Sequence, residues 1–464
     1  MKKDKLVARL PKGWIDRWGT SLARKKKIIK IIEDNFINFG FSALETPFAE
    51  ISENIGSFLA SDPNNPMSDV YSFEDGKERL TIKYDNSAPL ARFYAEQFRE
   101  LPSIYKRYQI GTVARNEKFD SKKIKLKSFT QADADIVGNV NKSLANSELI
   151  NLIGDTLLNL GFGSSQFKIC ISNRKIIEGF INDLKISDEK QKMGVYRAID
   201  KIGNKNIGKS GVRDLLGEKR VDKSGAVQIG ANLSKSQIDE VMNFIEFKNL
   251  KEIKSNLKNS LSKEGILEME KLLEVVSLGK YEKQVQLSLE KCRGLFYYDG
   301  WTVETELNFE NWEGISICSG GEYSSLISRF KGVDVPGVGI SFGVERCMAA
   351  SELNKTKVDE PKPILICVME EKFLPKYYEI LEDLRSNNIN SEIFLDPSKN
   401  MSKQLTFGSK RGNSIAVICG SDEFKDNTVT LKNLLTNKGD EKQQITVTRD
   451  NLINEIKKII SNNK

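Results

Sequence analysis

Residues 105–138 read YKRYQIGTVARNEKFDSKKIKLKSFTQADADIVG. An arginine and a glutamate two places apart, Arg115 and Glu117, follow the apolar-rich run 110–114. Lysines crowd the next stretch. Gln131, Asp133 and Asp135 then recur at every second place, a spacing that puts their side chains on one face of a strand. The segment predicts a hairpin with acids and an amide on one arm, an arginine on the other and a basic loop between them. Guanidinium forks bind phosphate oxygens in pairs, and carboxylates accept from cationic groups. Such a surface can hold a triphosphate beside a small cation. The plainer alternative is a half-exposed hairpin whose polar residues face water.

The chemistry open to the chain is narrowed by an omission. None of its 464 residues is histidine. That excludes Ser-His-Asp and Cys-His catalysis, imidazole bases and histidine-ligated metals. Six cysteines lie scattered at 170, 292, 318, 347, 367 and 419, with no C-x-x-C pair. Neither a zinc ribbon nor a disulfide framework is indicated, and small buried apolar residues are expected. The net charge of +7 is a mild basic excess, compatible with a polyanionic partner or only with a well-solvated surface. No apolar run approaches the roughly 20 residues needed to span a bilayer. The basic start, MKKDKLVARLPKGWIDRWG, lacks the apolar core of a signal peptide, so a cytoplasmic location is expected.

The elements that must position these residues follow from periodicity. Residues 20–40 read as an amphipathic helix with Leu22, Ile28, Ile29, Ile32 and Phe36 on one stripe, ended by Gly40. Leu80, Ile82 and Tyr84 alternate as a strand, and Asp85 or Ser87 caps the helix that follows, with Pro89 in its first turn. Residues 142–160 read helical and 166–172 as a strand. From about 173 to 291 charged helical stretches dominate, interrupted at 202–224. Strand texture returns at 295–310 and 315–328, and 337–353 reads strand to helix. A charged linker at 355–362 leads to four short strands alternating with helices. The length suits two to four domains. The expected layout is a split α/β (α+β) catalytic domain at 1–172 and 292–354, a helical insertion at 173–291, and a small mixed α/β domain at 363–464.

The hairpin block resembles the second signature motif of class II aminoacyl-tRNA synthetases, in its histidyl-tRNA synthetase form. Other blocks match in the same order: Leu10, Pro11, Gly13 and Trp14 at the start, RGLFYYDG at 293–300, SGGEYSSLISRF at 319–330, and GVGISFGVERCM at 337–348, the third class II motif. Residues 402–434 resemble the family's anticodon-binding domain. The match spans nearly the whole chain, least in the insertion.

The resemblance implies an antiparallel-sheet catalytic domain and ATP-dependent ligation of L-histidine to tRNA(His) through a histidyl-adenylate. By position, Arg115 would hold the α-phosphate, Arg346 the γ-phosphate side, Glu117 the adenine amino group and Lys125 the nucleotide. Arg293 would sit beside the reacting carboxylate and α-phosphate, making Arg293 and Arg115 the catalytic pair. Asp85, Ser87 and Gln131 match ammonium-binding positions. Asp135, Tyr298 and Tyr323 match imidazole-binding ones. Tyr297, one place from Tyr298, is expected to point away into the core. Mg2+ would bridge the phosphates, with no metal site of the protein's own. The helix and strand at 20–50 would form a homodimer interface.

Departures are visible too. Phe296 stands where the signature carries an acid, and Lys125 and Lys127 stand where the motif-2 loop carries arginines. The Y-D-x-S-A-P-L-A-R and R-N-E variants resemble the alphaproteobacterial branch, which implies a tRNA without the extra 5′ guanosine. A regulatory paralogue without catalysis would lack the last domain and the ATP-binding arginines; Arg115, Arg346 and 363–464 are present. A synthetase for threonine, proline or glycine would lack the R-G-L-x-Y-Y block.

Overall fold

Alternation along 131–137 assigns two layers at once. Ala132, Ala134 and Ile136 turn to one side and are buried in the main core, leaving Gln131, Asp133 and Asp135 on the other. The computed structural model describes residues 6–55, 69–203, 207–221, 225, 227–291, 297–310, 312, 314–356, 362–434 and 444–462. The chain divides into two units, 1–358 and 359–464.

The first unit is built on an eight-stranded sheet. Its strands in chain order are β1 (Ser42–Ala43), β2 (Ile104–Ala114), β3 (Ser128–Gly138), β4 (Phe167–Asn173), β5 (Val285–Leu287), β6 (Trp301–Leu307), β7 (Ser316–Tyr323) and β8 (Gly337–Gly343). The spatial order is β1-β2-β3-β8-β7-β6-β4-β5. All neighbours are antiparallel except the parallel edge pairs β1/β2 and β4/β5.

Helices cover the apolar side. Gly19–Asn38 buries Ile28, Ile32 and Phe36, as its stripe predicts, while Leu22 stays half-buried. Phe36 meets the rings of Tyr108 and Phe342, 5.7 and 6.3 Å away. The helix stops at Phe39, and Gly40 follows with φ +76°, a left-handed conformation that costs glycine little. Lys142–Asn159 and Val344–Leu353 complete this layer.

The polar side is roofed by a smaller cluster that includes Tyr84, Leu90, Tyr94, Tyr297 and Tyr323. Asp133 and Asp135 are therefore buried, not half-exposed. That decides against the plain solvated hairpin.

The stretch after β4 is mainly helical: Arg174–Asp183, Glu189–Ile199, Gly208–Leu216, Lys235–Phe244, Leu250–Asn256 and Ser260–Ser277. Local capping explains several starts, with the Asn173, Asp188 and Asn249 side chains accepting from first-turn N–H groups and Ser234 making a reciprocal box with Gln237. Phe180 and Phe244 stack 4.0 Å apart at its centre. Two differences from the sequence reading arise here. Lys219–Val221 pairs antiparallel with Val227–Ile229, so the segment is not wholly helical. Its last strand, β5, joins the edge of the main sheet beside β4. Elsewhere, 324–328 is not strand; the chain turns at Ser324 into the helix Ser325–Lys331.

The second unit holds five strands in the order 391–393, 364–366, 415–418, 428–433, 444–448. The first three run parallel and the last two antiparallel. Helices Leu374–Ser386, Met401–Arg411 and Leu452–Asn462 accompany them. Gln404 clips its helix to the sheet, accepting from Val368 N–H at 2.8 Å and donating to Val368 O at 2.7 Å. Cys170, Cys318, Cys347, Cys367 and Cys419 are free and buried, as expected, and Cys292 lies outside the described residues. Among the described residues no helix is long and apolar enough to cross a membrane.

Candidate active site

Sheet register places the polar residues in rungs. One rung crosses five strands as Gln109, Asp133, Ser341, Ser319 and Glu304. The next runs Arg107, Asp135, Gly339, Gly321 and Thr302. A third holds Gly111, Gln131 and Gly343. A side chain at 339 would put its Cβ 2.0 Å from Asp135 Oδ1, so glycine there leaves room for the acid.

Above these rungs lies a cavity of about 470 Å³. It brings together Asp85, Ser87, Arg115, Glu117, Lys125, Gln131, Tyr298 and Arg346, eight of the residues singled out from sequence. Asp135 and Tyr323 lie outside its lining. They bond to each other, Tyr323 hydroxyl to Asp135 Oδ1 at 2.6 Å, and Arg107 approaches Asp135 Oδ2 at 3.0 Å. Arg293 and Phe296 fall outside the described residues.

Each group is held by local structure. Asp85 follows the strand Glu78–Ile82 and caps the helix Ser87–Gln97, its Oδ1 accepting from Ala88 N–H at 3.0 Å. Its Oδ2 accepts from the Tyr297 hydroxyl at 3.1 Å. Tyr297 thus corrects the expectation that it turns away: it is buried and also lines the cavity. Residues 297–300 lie outside any strand, so strict alternation does not apply to the Tyr297–Tyr298 pair.

Arg115 leaves the end of β2. Its guanidinium lies 4.2 Å from the Tyr84 ring centre and 5.2 Å from that of Phe129, and its Nε donates to Tyr84 O at 3.1 Å. Glu117 accepts from the Tyr84 hydroxyl at 2.8 Å and pairs with Lys125. Burial works against its charge, but Arg115 and Lys125 outweigh that and hold the carboxyl below its usual value. Arg346 donates to Ser316 O at 2.6 Å. Burial and the nearby Arg115 both push its proton affinity down. Two guanidinium groups at one half-buried cavity oppose each other unless an anion joins them.

Acids share the same polar face. Burial raises Asp85, Asp133 and Asp135, with Arg107 opposing the shift at the last two. Asp133 is pushed up to about 7. Glu304 reaches about 7 as well, through burial opposed by Lys291. Sequence reasoning gave no role to Asp133, Ser341, Glu304 or Arg107. The signal was present as the period-2 positions 107, 109 and 111 on β2 and 302, 304 and 306 on β6, but the cross-strand register that joins them was not.

The antiparallel sheet, with arginines and acids gathered around one cavity on its polar face, is the catalytic unit of a class II aminoacyl-tRNA synthetase. Comparisons with known proteins define it further. A family model described as histidyl-tRNA synthetase matches residues 16–347, and one described as anticodon binding domain matches 363–459. The chain is 58% identical to a histidine–tRNA ligase of Pelagibacter ubique, over 99% of this chain and all of that one. It is 34% identical to one of Brucella suis, over 99% of this chain and 97% of the other. A crystal structure of histidyl-tRNA synthetase from a Nostoc species superposes with a TM-score of 0.73 at 26% identity, covering 98% of this chain and all of that one. This chain belongs to the histidyl-tRNA synthetase family.

Proposed function

We propose that the protein joins L-histidine to tRNA(His) at the expense of ATP, through a histidyl-adenylate. One observation carries the reading: a single cavity is lined both by two guanidinium groups, Arg115 and Arg346, and by a set of acceptors that includes Asp85, Gln131 and Asp133. A triphosphate suits the first and an ammonium-bearing amino acid the second. The carboxylate nucleophile is already ionised, so alignment and neutralisation of phosphate charge suffice. Arg115 takes the α-phosphate, Arg346 the γ-phosphate side and Glu117 the adenine amino group. Lys125, paired with Glu117 in the free protein, is released toward phosphate. Arg293 joins beside the reacting carboxylate. Asp85, Ser87 and Gln131 receive the ammonium. Asp135, Tyr298 and Tyr323 read the imidazole. A ring without matching donors and acceptors leaves those buried groups unpaired, which costs orders of magnitude in selectivity.

Among the described residues no group of three or more metal-ligating side chains comes together. Magnesium would enter with ATP and help neutralise the phosphate charge, beside Arg115 and Arg346. For transfer to the tRNA ribose, a phosphate oxygen of the adenylate serves as base. In this reading catalysis falls to 1–172 and 292–354, with the edge strand β5 joined to them, 173–291 is otherwise an insertion, and 363–464 binds the anticodon, where exposed Lys403, Lys410 and Arg411 supply charge. Exposed Ile37 and Phe48 in the helix and strand at 20–50 support a homodimer, and a cytoplasmic location suits the substrates.

The test is transfer of radiolabelled histidine to tRNA(His) transcripts differing only in the extra 5′ guanosine. Both are expected to charge at rates within about tenfold. Strict dependence on the guanosine would exclude the branch assignment. Adenylate formation without charging of either transcript would exclude the ligase.

A further inference from the structure

The acids of the site include three aspartates, and their partners differ. Asp135 is committed to Arg107 and Tyr323. Asp85 already has a donor on each oxygen, Ala88 N–H on one and the Tyr297 hydroxyl on the other. Asp133 is different. It is buried and lines the cavity, and its Oδ1 accepts from the Ser341 hydroxyl at 2.5 Å. Among the described residues it makes no ion pair. Ser341 in turn accepts from Gln131 Nε2 at 2.9 Å. That bond fixes the Gln131 amide so that its buried Oε1 is left without a donor. The relay Gln131–Ser341–Asp133 thus orders two neighbouring acceptors and puts no cation in direct contact with either; Lys83 and Arg107 act on Asp133 only from farther off.

Buried acceptors of this kind are costly until a donor arrives. A primary ammonium brings three N–H groups and one positive charge. We propose that Asp133, oriented by Ser341, is a further specificity-determining residue, supplying the counter-charge for the ammonium of the substrate amino acid. The inference rests on histidine being that substrate.

A pH signature follows. The groups around Asp133 are Lys83 and Asp85 from the segment after the strand Glu78–Ile82, Arg107 and Gln109 on β2, Asp135 on its own strand, Ser341 on β8, Cys318 on β7 and Tyr298 from the 297–300 segment. Burial, Asp135 and Asp85 raise its carboxyl, and Arg107 and Ser341 lower it, leaving it at about 7 in the free protein. A bound ammonium favours the charged form. Binding then expels a proton below that pH, so the KM for histidine rises by up to about tenfold per pH unit on acidification.

The experiment is histidine-dependent ATP–pyrophosphate exchange by the full chain, followed with pH, for wild type and Asp133→Asn. The variant is expected to raise the KM for histidine by about 10- to 100-fold with kcat within a few-fold, and to lose the acid-side slope. Inhibition by histidinol, which keeps the ammonium, should weaken to the same degree. Inhibition by imidazole lactate, which carries a hydroxyl in its place, should not. If Asp133→Asn fails to fold, Ser341→Ala replaces it, with a smaller rise in KM and the same contrast between inhibitors. A variant whose KM and slope match wild type overturns the inference, as does a fall in kcat alone or equal weakening of both inhibitors. Wild-type exchange indifferent to histidine would instead overturn the substrate assignment itself.

Discussion

Replacing Arg115 by lysine is expected to lower the rate of histidine-dependent ATP–pyrophosphate exchange by about 100- to 1000-fold, with little change in thermal stability. The argument is geometric. The guanidinium lies against the Tyr84 ring, has Phe129 near it and is anchored by Nε to Tyr84 O, which leaves its terminal nitrogens for the cavity. Glu117 stands 4.0 Å away. A planar fork so placed meets two oxygens of one phosphate at once. Lysine keeps the charge but is a flexible point donor that neither stacks nor binds in pairs. Steady-state exchange and a melting curve check both halves. Exchange within about threefold of wild type would mean that Arg115 does not touch the transferring phosphate.

Arg107→Leu should fail differently, by unfolding. Arg107 is fully buried, its Nη2 3.0 Å from both Asn86 O and Asp135 Oδ2. Its charge is what opposes burial at Asp133 and Asp135. Removing it strands two buried carboxyls, a loss of about 3–5 kcal/mol. The loss depends on pH. Asp133 has its folded value raised, from 3.8 to about 7, so the native state holds the extra proton and stability falls as pH rises across that window. Without Arg107 the penalty deepens. Denaturant unfolding should therefore show a larger deficit near pH 8 than near pH 5. An equal deficit at both would show that Arg107 acts by packing alone.

Much of this site was legible before the fold was known. Residues 131–135 announce a strand with one polar face, and Arg115 stands at the end of the arm that pairs with it. What period-2 spacing cannot tell is whether that face meets water. The decision belongs to the Tyr84, Leu90 and Tyr94 cluster, whose aromatic and aliphatic side chains come from a segment some forty residues earlier. Arg107 was invisible for the same reason, since an arginine in a strand normally reaches solvent and only the register with Asp135 shows otherwise. Tyr297 was misread because alternation was applied where no strand exists. The pair Lys219–Val221 and Val227–Ile229 and the strand Gln444–Thr448 were missed because each run is only three to five residues long, too short for its alternation to stand out.

The most direct test of the whole account is pyrophosphate exchange by the purified chain against a panel of single amino acids. Exchange driven by histidine, and not by threonine, proline or glycine, is the predicted result. Exchange driven by another amino acid, or by none, would contradict it.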